Sequence, residues 1–306
     1  MAAVISAEGV GHVYENGTVA LDDVNLEIGT GLFGLLGSNG AGKSTLMRTI
    51  CTLLVPARGR VTVGGFDVVA DRRAVRGLLG YLPQHFSAWR LQTVAEVLDA
   101  LASFSGLTDG TLRKRRIGEV LESVGLADVA HRRVKQLSGG MTRRLGVAQA
   151  LIHEPKVLVV DEPTVGLDPE ERLRFRQLMA ELGRDRTIVL STHIVADLGS
   201  GCGDLALLDR GRVAFRGSPG ELVAQATGKV VEVTVPEAAE SDLMNSLEIV
   251  SRRPGHGQVT VRGVVNKDAA PAGARAVDDI TLEEAYLAFM VSRGRHADEL
   301  AASDSN

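Results

Sequence analysis

Gly37-Ser38-Asn39-Gly40-Ala41-Gly42-Lys43-Ser44-Thr45 is the stretch on which the fold turns. A glycine, four residues and then Gly-Lys-Ser make the phosphate-loop pattern. Before it, the apolar run Leu32 to Leu36 reads as a buried strand. After it, Leu46, Ile50, Leu53 and Leu54 recur at helical spacing. Strand, glycine loop and helix in this order are the context the pattern needs. The glycines let the backbone curl so that N–H groups converge on phosphate oxygens at the positive end of a helix. Lys43 would reach the β- and γ-phosphates, and the Ser44 hydroxyl would ligate magnesium. The stretch predicts a nucleoside triphosphate site in an α/β chain.

The bulk composition fits. The 306 residues suit one large domain or two, and 44% apolar content supports a core. A net charge of −4 and 4% aromatic residues speak against a basic, base-stacking surface, so no nucleic-acid partner is expected. Cys51 and Cys202 make no disulfide framework and read as thiols of a reducing compartment. The sequence has neither a secretory leader pattern nor an apolar run of about 18 residues, so no membrane span is expected.

Along the chain, strands are expected at 10–14 and 24–28, around Val61 and Val63, and at 78–82. From about 85 to 153 the pattern becomes helical. Val94, Val97, Leu98, Leu101 and Phe104 share one face, and Ile117, Val120, Leu121 and Val124 another. This block reads as a helical insert between strands of an α/β core. Strands resume at 157–160, 187–191 and 205–208, and Asp209-Arg210-Gly211-Arg212 reads as a hairpin turn. Residues 1–222 are assigned to one domain and 223–306 to a small α+β appendage. The appendage is expected to hold strands at 230–235, 247–250 and 259–261, a helix from Pro236, a loop over 269–276, a last helix with Leu282, Ala285, Tyr286, Phe289 and Met290 on one face, and a frayed end at 304–306.

Val157-Leu158-Val159-Val160-Asp161-Glu162 delivers two carboxylates at the C-terminal end of a strand, where open α/β sheets bind ligands. Asp161 suits the magnesium shell. Glu162, one residue on, points elsewhere and can orient and polarise an attacking water. Ser138-Gly139-Gly140 opens a helix with Ser138 as its cap, a second anion-binding end in a chain with one phosphate-loop lysine. Either it is a plain capped helix or it completes a site of another molecule.

In this order and with the insert between them, the motifs resemble those of ABC-type ATPases over about the first 220 residues. Ser-Gly-Gly-Met at 138–141 resembles the family's signature, Gly37 to Thr45 its Walker A loop, Val157 to Glu162 its Walker B strand with the catalytic glutamate, and Gly166-Leu167-Asp168 its D-loop. The resemblance implies a P-loop NTPase core of ABC type with antiparallel β elements and a helical insert. It implies ATP and Mg2+ as cofactors, and two ATPase domains paired head to tail, each signature closing on the other's ATP. By position, Gln84 is similar to the magnesium-sensing Q-loop glutamine, His193 to the switch histidine on the γ-phosphate, and Tyr14 to the aromatic that stacks on adenine. Ser38 stands where many relatives have proline.

Thr281-Leu282-Glu283-Glu284-Ala285-Tyr286 in the appendage is most similar to ATP-binding subunits of ABC-2-type exporters. That implies a peripheral ATPase on the cytoplasmic side of the membrane. It would pair with itself or a similar subunit and drive an integral permease that exports a small molecule such as a drug, antibiotic or lipid. His85, Phe86, Trp89 and Leu91, after Gln84, are the expected docking area. Two rivals are a non-transport ABC ATPase acting on ribosome or DNA and a binding module with impaired hydrolysis. This chain has neither the doubled domain nor the coiled coil of the former, and the presence of Glu162 argues against the latter.

Overall fold

Two antiparallel strands open the chain, β1 (Ile5–Val13) and β2 (Val19–Ile28), joined by a turn in which Tyr14 N–H donates to Thr18 O at 2.9 Å. The computed structural model describes residues 4–199, 201–266 and 270–295. The end at 304–306 and the first residue of the 269–276 loop lie outside them.

β3 (Gly31–Leu36) is apolar and buried, as a strand covered on both faces must be. The phosphate loop follows, then α1 (Lys43–Ile50), β4 (Arg58–Val63), β5 (Phe66–Asp67), α2 (Arg72–Leu78) and β6 (Leu79–Leu82). The helical block is α3 (Val94–Phe104), α4 (Gly110–Ser123) and α5 (Gly139–Leu151). Thr93 and Glu96 form a capping box on α3, and Asp109 and Ser138 cap the other two. Val94, Val97 and Leu98 are buried as expected, but Phe104 is 79% exposed, because α3 ends there and the next turn has left the insert's core. Then come β7 (Val157–Asp161), α6 (Pro169–Leu182), β8 (Thr187–Thr192), β9 (Cys202–Asp209) and β10 (Arg212–Gly217). Arg210 and Gly211, both at positive φ (49° and 76°), make the two-residue turn between the last two strands.

These strands form two sheets, β2-β1-β4-β5, which is antiparallel, and β10-β9-β3-β8-β7-β6, whose β9, β3, β8, β7 and β6 run parallel. Leu46, Met47 and Ile50 of α1 are buried in one cluster with Val10 and Leu26 of the first sheet and Val159 and Val189 of the second. Each such side chain removed from water contributes about 1.5–3 kcal/mol. The helix that follows the phosphate loop is thereby fixed from two sides. The architecture is the α/β P-loop core with antiparallel elements and a helical insert that the motifs implied.

The contact pattern divides the chain after Arg216, six residues before the boundary expected at 222. The reason is α7 (Pro219–Gln225), which packs against α9 (Leu282–Ser292) in the second unit. Between them lie β11 (Val230–Pro236), α8 (Glu240–Leu243), β12 (Leu247–Gly255), β13 (Gln258–Val265) and β14 (Arg275–Ala276), with sheet order β12-β13-β11-β14. The helix expected from Pro236 is a 3-10 turn plus the four-residue α8, in which Leu243 alone is buried. Arg262 of β13 donates to both oxygens of the buried Glu284 on α9, tying sheet to helix.

Candidate nucleotide site

The loop after β3 must turn back sharply before α1 begins. Gly42 caps α1 at φ 107°, and a Cβ there would lie 2.4 Å from the Ala20 carbonyl, so only glycine fits. Lys43, buried at 5% exposure, lies beneath the loop. Its Nζ donates to Gly37 O at 2.7 Å and to Ser38 O at 3.2 Å. Gly211 braces the loop from behind: its N–H donates to Ala41 O at 3.0 Å and its carbonyl accepts from Asp22 N–H at 2.8 Å.

β7 carries Asp161 to the edge of this loop. Ser44 Oγ donates to Asp161 Oδ1 at 3.4 Å, and the buried Ser191 on β8 donates to the same oxygen at 2.6 Å. Ser191 Oγ also accepts from Glu162 N–H at 3.0 Å. Glu162 adopts φ 46°, a conformation that costs a non-glycine residue about 1–2 kcal/mol. The turn sends its side chain away from Asp161. Glu162 Oε2 accepts from His193 Nδ1 at 2.6 Å, and Oε1 lies 3.1 Å from Lys43 Nζ. Two of the three ammonium hydrogens serve the loop carbonyls, and the third is left for the buried Oε1. Burial pushes the Glu162 carboxyl up, but the His193 hydrogen bond and the Lys43 charge outweigh it and hold it below the ordinary carboxylate range.

Tyr14, Thr18, Ala20, residues 39–45, Gln84 and Glu162 line one cavity of about 210 Å³. Tyr14 is held from two sides, by its hydroxyl 3.0 Å from Thr45 Oγ1 and by the edge of the His12 ring, 4.9 Å between centroids. A larger cleft of about 430 Å³ opens by Gly31 and Arg184, at the opposite end of β3, away from this set of side chains. The chemistry, not the volume, marks the site. Ser138, Gly139, Gly140 and Asp168 are not brought into the cavity. Ser138 accepts from Met141 N–H at 3.1 Å and Asp168 from Glu171 N–H at 2.9 Å, so each caps its own helix.

A hydroxyl and one carboxylate converge at Ser44 and Asp161. This hard-oxygen set suits Mg2+, which keeps waters and phosphate oxygens as its remaining ligands. The described residues contain no cluster of three or more His, Cys, Asp or Glu that could hold a metal.

Sequence reasoning missed Ser191 and Gly211. The signal available for Ser191 was a hydroxyl at the end of an otherwise apolar buried strand.

Residues 21–165 match the ABC transporter family. Among curated relatives, the chain is 39% identical over 224 residues to the daunorubicin resistance ATP-binding protein DrrA3 of Streptomyces coeruleorubidus, covering 72% of this chain and 70% of that one. It is 36% identical over 247 residues to the probable multidrug ABC transporter ATP-binding protein YbhF of Escherichia coli, covering 80% of this chain but 43% of YbhF, less than half its length. It is 35% identical over 282 residues to the methionine import ATP-binding protein MetN of Streptomyces coelicolor, covering 86% of this chain and 79% of MetN. Among solved structures it is similar to the dimeric bacterial ABC transporter cassette MJ0796, with TM-score 0.63 and 27% identity over 70% of this chain and 98% of that one. With its phosphate loop, two-carboxylate strand and capped glycine helix in place, the chain belongs to the ATP-binding proteins of ABC transporters.

Proposed function

We propose that the chain binds Mg2+ and ATP, hydrolyses the β–γ phosphoanhydride bond, and uses the cycle to drive a separate integral permease of ABC-2 type from the cytoplasmic side of the membrane. One observation carries the reading. Lys43 and Glu162 are buried beside one another at the phosphate loop, with Glu162 Oε1 paired to the ammonium that the proposed reaction turns toward phosphate. A carboxylate kept ionised, with one oxygen released as the ammonium turns away, is suited to orient water and take its proton. His193, on the other carboxylate oxygen, fixes the direction in which Oε1 points.

In the proposed reaction Lys43 turns its ammonium from the Gly37 and Ser38 carbonyls to the β- and γ-phosphate oxygens. The N–H groups of residues 39–45 receive the remaining phosphate oxygens. Ser44 and Asp161 hold Mg2+, with Gln84 on the same cavity wall; when bound, the ion neutralises phosphate charge. Tyr14 supplies the face for adenine, and His193 meets the γ-phosphate. Ser138, Gly139, Gly140 and Asp168 complete the site of a second copy or a similar subunit.

Export of a small molecule such as a drug, antibiotic or lipid is proposed because relatives are named for multidrug and daunorubicin resistance. The MetN name, an importer, is why direction stays a proposal. Among the described residues no helix is long and apolar enough to cross a membrane; the permease is proposed to be a separate partner. Its proposed docking area follows Gln84, where Trp89 is 48% and Leu91 67% exposed and His85 is exposed too. Phe86 instead folds toward α5, its ring 3.0 Å from where a Cβ on Gly146 would lie. The second unit is proposed to be accessory or regulatory.

The test is Glu162→Gln in the purified chain, with ATP turnover and binding of a fluorescent ATP analogue measured together. Turnover should fall at least about a hundredfold while binding holds. Wild-type turnover in this variant would overturn the assignment.

A further inference from the structure

The buried carboxylate of Asp197 has no part in the mechanism above. It lies on the 3-10 turn Val195–Leu198, four residues after His193, and is 3% exposed. Its Oδ2 faces two hydroxyls, one at the end of β8 and one in the loop after β7. Thr192 Oγ1, directly before His193, lies 3.2 Å away and shares its one hydrogen between this oxygen and Ile194 O, and Thr164 Oγ1, two residues after Glu162, donates through a short hydrogen bond. All three side chains are buried. Its Oδ1 lies 3.7 Å from Arg172 Nε on α6, the helix that Asp168 caps, and neither of those two atoms makes a hydrogen bond. One carboxylate oxygen thus ties the loop after Glu162 to the loop after His193, and the other faces the helix that begins at Asp168. A buried charge is expensive unless its hydrogen bonds hold the surrounding groups in place. Here the held groups flank the two residues whose 2.6 Å contact aims Glu162 Oε1.

We infer that Asp197, through Thr164 and Thr192, is a positioning residue that sets the Glu162–His193 contact. The inference rests on the ATPase reading above and adds residues that never touch nucleotide. Thr164→Val keeps the shape of the side chain and deletes one donor; Thr164→Ser keeps the donor. Losing a hydrogen bond to a buried charge is expected to lower kcat about tenfold. KM for ATP and the dissociation constant of a fluorescent ATP analogue should stay within about twofold, because the phosphate loop is untouched.

The experiment compares wild type, Thr164→Val, Thr164→Ser, Glu162→Gln and the Thr164→Val/Glu162→Gln double variant in the full chain. Thr164→Ser should restore the rate. Adding Thr164→Val to Glu162→Gln should lower the residual rate no further, because the two act as one unit. A wild-type rate in Thr164→Val, equal losses in the valine and serine variants, or parallel losses of kcat and analogue binding would overturn the inference. If Glu162→Gln keeps the wild-type rate, the ATPase assignment fails first. If Glu162→Gln is inactive and Thr164→Val is not impaired, the positioning role alone fails.

Discussion

Replacing Lys43 with methionine would leave Glu162 buried without its nearest cation. At 3.1 Å the pair is worth about 5 kcal/mol of Coulomb attraction at an effective dielectric of 20. Much of this is offset because burying the lysine also has a cost, and His193 continues to hold Oε2. The Gly37 and Ser38 carbonyls lose a charged donor as well. Together these suggest a loss of about 3 kcal/mol for Lys43→Met, the lower end for breaking a buried pair. Adding Glu162→Gln removes the uncompensated charge, so the double variant should recover about 2 kcal/mol as coupling energy. The assay is urea unfolding followed by circular dichroism, without nucleotide and with EDTA, on wild type, both single variants and the double.

The same cycle has a pH signature. The Glu162 carboxyl titrates below its ordinary value in the folded chain. Such a group contributes stability that is present above its unfolded pKa, near 4.3, and is lost as pH falls through the lower folded value. The coupling should therefore hold steady from about pH 8 down to 5.5 and shrink as the medium becomes more acid than about pH 4. A coupling below about 0.5 kcal/mol at pH 7.5, or one unchanged between pH 7 and 3, would refute a charged, buried Lys43–Glu162 pair.

Three further outcomes are expected. Ser138→Arg places bulk and charge on an exposed helix start outside the chain's own cavity; it should abolish cooperative ATPase activity while analogue binding to the single chain stays near normal. Cutting the chain after Arg216 should leave nucleotide binding intact in a titration, whereas cutting after Glu221, inside α7, should leave a stranded half-helix and an aggregation-prone product on size exclusion. Trp89→Ala with Arg90→Glu should lower co-sedimentation with native membranes stripped of peripheral proteins, at unchanged basal ATPase activity; equal pelleting of variant and wild type would exclude that docking area.

How much of the fold showed in the sequence depended on how each element earns its stability. β3, β7 and β8 are held by burial on both faces, so their apolar runs announced them. β1 reads from Val10, yet it begins at Ile5, because Gly9 at φ 58° and a register shift between Ala7 and Val10 break the alternation. β12 runs on through Arg252, Arg253 and Pro254, whose side chains face solvent; pairing with β13 carries that stretch, and backbone pairing leaves no mark on composition. The reverse error came at Pro236. Glu237 to Met244 has helical propensity, but a single buried side chain on α8 leaves most of a helix without a partner face.

The site divides along the same line. The phosphate loop and the two carboxylates sit within short spans whose spacing is itself the chemistry, whereas the Ser191 bridge and the Asp197 tie join residues about 30 apart that only the sheet order brings together. The glycine helix start is the instructive case, because its local geometry explains only part of it. Ser138 caps α5, and at Gly140 a Cβ would fall 2.2 Å from the Glu171 carboxylate, so both residues are accounted for inside one chain. Gly139 is not. It is exposed, and a Cβ there would meet nothing within 4 Å. Glycine in place of alanine costs about 0.5–1 kcal/mol in the middle of a helix, and Gly139, as the first residue of α5, bears only part of that cost. A helix start that keeps a bare backbone toward solvent, beside an N–H array at its positive end, has the surface needed for close approach by an anion from outside. The ATP of a paired subunit is the anion proposed for this helix start, which does not line its own chain's cavity.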